Sequence, residues 1–187
     1  MLRIVGLLAG LLLAAPVFAE EIAEDVVEDG ASVEVEEGFS RYAPDRVYLT
    51  FSARHLNIDP TNFGRASWNE TNPGMIFTWA DRGFFGQDYS LGVVINSYED
   101  TSLFASVGKT WQIGDSDWRL GYVMGVADYG ANARLIGSQI RSSNWIVIGG
   151  AQIEYRNMFF QLQPAGAQRG GGYGAVLVTG VTFELGK

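Results

Sequence analysis

Apolar and polar residues alternate with a period of two over most of this chain. In Val47-Tyr48-Leu49-Thr50-Phe51-Ser52-Ala53-Arg54 the odd positions are apolar and the even ones polar or amphipathic. One face of such a strand suits hydrocarbon and the other a wetter surface. The pattern recurs at residues 89–96 and 118–126, and residues 75–80, 102–111, 145–155, 158–164 and 175–185 complete a set of eight predicted strands. Three of the links between them, near 81–87, 112–117 and 156–157, are short. Those near 57–72, 127–144 and 165–173 are longer and rich in Gly, Asn and Arg, and the brief 98–101 link joins their end. Short turns at one end and long loops at the other are the habit of outer-membrane barrels. Aromatic residues near strand ends (Tyr48, Trp79, Tyr89, Trp111, Trp118, Trp145 and Tyr155) suit interfacial girdles. The predicted fold is therefore all-β, an eight-stranded antiparallel transmembrane β-barrel with an acidic N-terminal tail. A soluble barrel or sandwich, with those aromatics in its core, is the competing fold.

The start of the chain changes this picture in two ways. Residues 1–19 combine Arg3, an apolar run over 4–15 and Val17-Phe18-Ala19 before an acidic stretch, which reads as a secretory signal peptide. The run is too short for a bilayer-spanning helix. Residues 20–37 then hold nine acidic residues and no basic one, whereas 38–187 balance twelve against twelve. The net charge of −8 thus belongs mainly to the 20–45 segment, read as a solvated tail or a short helix, and the barrel domain is 46–187. With no cysteine, thiol chemistry and disulfides are excluded. No basic aromatic stripe favours nucleic acid.

Two strand ends carry the candidate chemistry. If strands alternate up and down, the first and third finish at the same rim. That places His55, the only histidine, near Asn96-Ser97. Strict alternation gives His55 and Ser97 the outward, lipid-facing parity and turns Asn96 inward. An imidazole titrating near neutrality could act as a general base, and a serine as nucleophile or oxyanion donor. The plain alternatives are a solvated surface histidine and a turn-forming Asn-Ser pair. On the predicted inner face Ser90, Gly92, Ser102, Ser106, Gly108, Gly121 and Gly125 leave space, and Val94, Phe104 and Val123 make it apolar. Those glycines could instead relieve crowding where a small barrel curves.

The order His55, Trp68-Asn69-Glu70, Pro73-Gly74, Asn96-Ser97 resembles the lipid A palmitoyltransferases known as PagP over roughly residues 55–111. Phe160-Gln161-Leu162 and Pro164 are similar to that family's penultimate strand. The resemblance implies transfer of a palmitoyl-like chain from a phospholipid donor to a lipid A acceptor by a monomeric barrel, with no cofactor and no metal. The implied location is a Gram-negative outer membrane, with a periplasmic N-terminus. It also implies that His55, Asn96 and Ser97 hold the essential positions and that Gly108 sits at the floor of an acyl pocket. Gly92 and Gly121 join it as candidate pocket residues. Where the family has Asp this chain has Asn96, which can orient an imidazole but cannot stabilise its cation by charge. The alternative function is a non-enzymatic structural or surface-interaction barrel. A lipid A deacylase of barrel type is disfavoured because no His-x-Ser motif occurs late in the chain, and an open porin is disfavoured by strand number.

Overall fold

Eight antiparallel strands close on themselves in the computed structural model, which describes residues 42–167 and 172–185. The signal peptide and most of the acidic segment lie outside the described residues. In chain order the strands are β1 (Arg46–Leu56), β2 (Thr71–Trp79), β3 (Asp88–Ile95), β4 (Thr101–Gln112), β5 (Trp118–Asp128), β6 (Trp145–Tyr155), β7 (Met158–Gly166) and β8 (Tyr173–Glu184). Each pairs with its sequence neighbours, and β1 pairs with β8 to close the wall. All eight predicted strands are present, because the two-residue period survives wherever one face is buried and the other is not.

The alternation sorts side chains as a barrel requires. Leu91, Leu103, Leu120, Met124, Val147 and Leu162 stand on the outer surface, about half exposed. Inside, Tyr48, Ile76, Phe104, Val123 and Phe159 form the central core. Tyr48 corrects one expectation. It belongs to the lumen and not to an interfacial girdle, since its ring meets Phe159 edge-on at 5.1 Å and its hydroxyl donates to Glu154 Oε1 at 2.8 Å. The outward aromatics Trp79, Tyr89, Trp111, Trp118 and Tyr155 gather instead at the rim of short turns, where Trp118 and Tyr155 lie 4.6 Å apart.

Below the core, polar side chains meet across the lumen. Glu154 Oε1 accepts from Tyr48 and Gln152, Glu154 Oε2 lies 3.4 Å from Arg119 Nε, and Gln161 Nε2 donates to Gln152 Oε1 at 2.7 Å. A buried carboxylate is tolerable only with such partners. The network ties β1, β5, β6 and β7 together across the short-turn half of the lumen.

One strand pair breaks its ladder in the other half, and a second shifts its register there. β6 meets β7 only from Ala151↔Leu162 down to Tyr155↔Met158, although both strands continue upward. Pro164, which has no N–H to give, lies in the part of β7 that pairs with β8 but not with β6. Part of the opening is occupied by the β5–β6 loop, where Val147 N donates to Ser138 O at 2.9 Å and Gly137 N to Gly166 O at 2.8 Å. Between β1 and β2 the register shifts beside Pro73, from Thr50↔Gly74 to Ser52↔Thr71, where β2 begins. There the side chain of Asn72 replaces ladder bonds, accepting from Ala53 N at 3.0 Å and donating to Ile95 O at 2.9 Å.

Candidate functional site

A register shift in β1 decides what His55 faces. Thr50 pairs with Gly180 and Ser52 with Thr179, so one extra residue is accommodated at Phe51 and Ser52. The bulge reverses the parity beyond it. Ala53 is buried, Arg54 is exposed, and His55 points into the barrel, opposite the inward Val176. Strict alternation placed His55 on the lipid-facing surface; the bulge overturns that expectation.

The inward His55 lines a cavity of ≈ 140 Å³ in the long-loop half of the barrel. Asn96 and Ser97 line it too, so the strand ends that the sequence placed at one rim share one chamber. Its walls are mainly apolar, including Ile76, Val94, Ile148, Val176 and Val178. The lining also includes Val147 and Pro164, whose positions in β6 and β7 face outward. The cavity therefore reaches the wall where the β6–β7 ladder is missing.

The Trp68-Asn69-Glu70 segment ties these residues together. The Trp68 ring stacks on His55 at 4.0 Å with an interplanar angle of 7°, and its Nε1 donates to Ile58 O at 3.1 Å. Glu70 Oε1 accepts from the His55 backbone N–H at 3.2 Å. On the opposite side, Asn69 N donates to Ser97 O and Asn69 Nδ2 to Asn96 O, both at 3.4 Å. Above them Phe63, Trp68, Tyr98 and Tyr129 form an aromatic mouth of edge-to-face pairs, and Arg65 lies over the Tyr98 ring. Burial pushes the Tyr98 and Tyr129 phenols up to about 12, so both remain neutral at physiological pH.

Hydrogen bonding distinguishes the three candidate catalytic residues. The Asn96 amide is committed to its own turn: Oδ1 accepts from Tyr98 N at 2.8 Å and Asp100 N at 3.2 Å, while Nδ2 donates to Ser102 Oγ at 2.9 Å. The Ser102 hydroxyl in turn donates a hydrogen bond to the Asp128 carbonyl, locking the β3–β4 turn to β5. The amide suits this chain because it donates to Ser102 and leaves that hydroxyl free to donate onward. Ser97 is buried on the cavity wall. His55 Nδ1 is buried and has no hydrogen-bond partner among the described residues. No hydrogen bond joins His55 to Asn96 or Ser97, so the three share a chamber without forming a relay.

The candidate pocket glycines lie elsewhere. Gly108 lines a second cavity of ≈ 40 Å³ nearer the short turns, among polar groups such as Thr78, Ser90, Ser106 and Lys109. Gly92 and Gly121 line neither cavity; a Cβ at these positions would collide with the Met75 and Lys109 carbonyls, respectively. Both serve close strand approach. Loop residues that periodicity could not place, Ile58, Phe63, Tyr98, Tyr129 and Ile136, complete the upper wall. Only the clustering of aromatics between strands hinted at them. Among the described residues no group of three or more His, Asp or Glu side chains could hold a metal ion.

No protein-family model matches the sequence, and no curated protein matches it. Among solved structures, the chain is similar to the N-terminal β-barrel domain of Pseudomonas aeruginosa OprF, with 15% identity over 75% of this chain and 98% of that one and a TM-score of 0.39.

Proposed function

We propose that this barrel spans a Gram-negative outer membrane and transfers a fatty acyl chain from a phospholipid to lipid A. The membrane reading rests on the outward apolar band, the aromatic rim and strands of 8 to 12 residues. At ~3.4 Å per residue and a tilt of ~40°, such strands match an apolar belt ~25 Å tall. One observation carries the functional reading: the apolar cavity holding His55 and Ser97 reaches the barrel wall where β6 and β7 part. A lipid in the surrounding leaflet could insert an acyl chain there without passing its head group through the lumen. The ester would then lie near His55, whose unpartnered Nδ1 would accept a proton from the attacking lipid A hydroxyl and return it to the lysophospholipid oxygen that leaves as the donor ester C–O bond breaks. Ser97 would serve as nucleophile or as donor to the developing oxyanion.

Asn96 gives the second reading its support. With its amide consumed by the turn, the side chain supplies fold and not chemistry, as expected of a non-enzymatic structural or surface-interaction barrel. Mass spectrometry of lipid A from cells with and without the protein separates the two. Acyl transfer predicts the added mass of one chain, lost in His55→Ala and in Ser97→Ala at equal folded-barrel levels. Unchanged lipid A beside a well-inserted wild-type barrel would leave the non-enzymatic reading.

A further inference from the structure

The turn between β2 and β3, residues 80–87, carries two adjacent phenyl rings outside the packed protein. Phe84 is 81% exposed and Phe85 wholly so. The β4–β5 turn presents Asp115, Ser116 and Asp117 instead, and the β6–β7 turn Arg156 and Asn157. Phe85 has φ +60° and ψ +27°, a left-handed conformation that is strained for so bulky a residue. The conformation is held by Gly83 N, which donates to Gln87 O at 2.7 Å, and by Gly86 N, which donates to Gly83 O at 3.1 Å. It leaves two successive side chains exposed together, whereas an extended strand would send them to opposite faces.

Two contacts show which way the turn leans. Gln87 Nε2 donates to the Tyr122 hydroxyl at 2.6 Å, and Asp81 pairs with Lys109 Nζ. Tyr122 and Lys109 lie opposite each other on β5 and β4. Because Tyr122 has the parity of the outward Leu120 and Met124, both side chains leave the outer face of the wall. The turn therefore leans over the outside of the barrel and not over its lumen. There it joins the aromatic rim, since the Tyr122 ring lies 6.0 Å from that of Trp111. Its own charges are paired, Asp81 with Lys109 and Arg82 with Asp45 Oδ2 at 3.1 Å. Exposed rings beside neutralised charges match the head-group zone of a bilayer, where aromatic side chains are favoured.

We infer that Phe84 and Phe85 form a lipid anchor, both rings entering the leaflet nearer the short turns among phospholipid head groups and their first methylenes. The partner is lipid and not protein, because the turn continues the aromatic rim that borders the outward apolar band. This rests on the reading that the barrel spans a membrane. In the closed strand order the β2–β3 turn lies diametrically opposite the β6–β7 gap. The anchor thus grips the bilayer on the side away from the incomplete wall.

The chain has no cysteine, so single thiols can be introduced without background. Phe84→Cys, Phe85→Cys, Ser116→Cys in the β4–β5 turn and Leu103→Cys in the outward band are each labelled with the polarity-sensitive fluorophore NBD. The full barrels are folded into vesicles of phosphatidylethanolamine and phosphatidylglycerol, with folding verified by heat-modifiable gel mobility. Phospholipids carrying a nitroxide near the head group or deep in the acyl chain then quench labels at their own depth. Labels at 84 and 85 should emit at shorter wavelength than the label at 116 and be quenched about twofold or more by the shallow nitroxide. Labels at 84 and 85 that behave like the one at 116 overturn the anchor. A shifted emission that no nitroxide quenches also overturns it, since protein would then cover the rings, whether a second copy or the N-terminal segment. A label at 103 that escapes the deep nitroxide would instead remove the membrane reading beneath the proposal.

Discussion

The two halves of this barrel share eight strands and differ in everything those strands enclose. Toward the short turns the ladders between β6 and β7 and between β1 and β2 are intact, and Tyr48, Arg119, Gln152, Glu154 and Gln161 form a polar network across the lumen. Toward the long loops the β6–β7 ladder lapses beside Pro164, the β1–β2 register shifts beside Pro73, and the interior opens into an apolar chamber. Backbone groups released from a ladder must find other partners. Here Asn72 and the 136–140 loop segment supply them. The contrast teaches that a small barrel can anchor its rigidity at one end and so tolerate an incomplete wall at the other.

The comparison is broken most severely by removing the Glu154 carboxylate. Glu154→Ala strands Arg119 without its buried partner and should cost about 4 kcal/mol in denaturant unfolding of the micelle-bound barrel. A loss under about 1 kcal/mol would mean that the network does not lock the lower half. Phe159 is 1% exposed and packs on Tyr48, so Phe159→Ala should cost about 3 kcal/mol by leaving a cavity between the halves. If it unfolds like wild type, the central core is not what separates them. In the upper half, Asn96→Ala removes three hydrogen bonds from one turn and should cost about 1.5 kcal/mol, while Asn96→Asp keeps the two backbone acceptor contacts and loses less. Equal losses in the two variants would contradict the assignment of Oδ1 to the backbone amides. Trp68→Ala should cost under about 1 kcal/mol globally yet raise hydrogen exchange through residues 57–70, because it opens the mouth without touching the lower network. Protection unchanged in that loop would show that the stack on His55 does not hold it.

Alternation in 118–126 or 102–111 made the strands legible, since each apolar residue there faces outward or packs the core according to parity. His55 shows where that reading ends. Its place at a strand end was evident, but a single extra residue at Phe51–Ser52 turned it from the lipid surface into the lumen. Asn96 was legible both as a turn former and as a candidate polar group; only the positions of Tyr98, Asp100 and Ser102 commit its amide to the turn. Gly92, Gly108 and Gly121 looked alike as small inward positions; all three accommodate neighbouring backbone, and Gly108 also borders a separate cavity.

By itself the sequence determined eight strands, their up-and-down order and the rim shared by His55 and Asn96-Ser97. Local periodicity encodes these because each side chain's face follows from its neighbour's. Tertiary structure alone decided the bulge that aims His55, the loop segment set into the β6–β7 gap and the two separate cavities. Each arises where residues distant in sequence meet, and the chain's local pattern carries no record of such meetings.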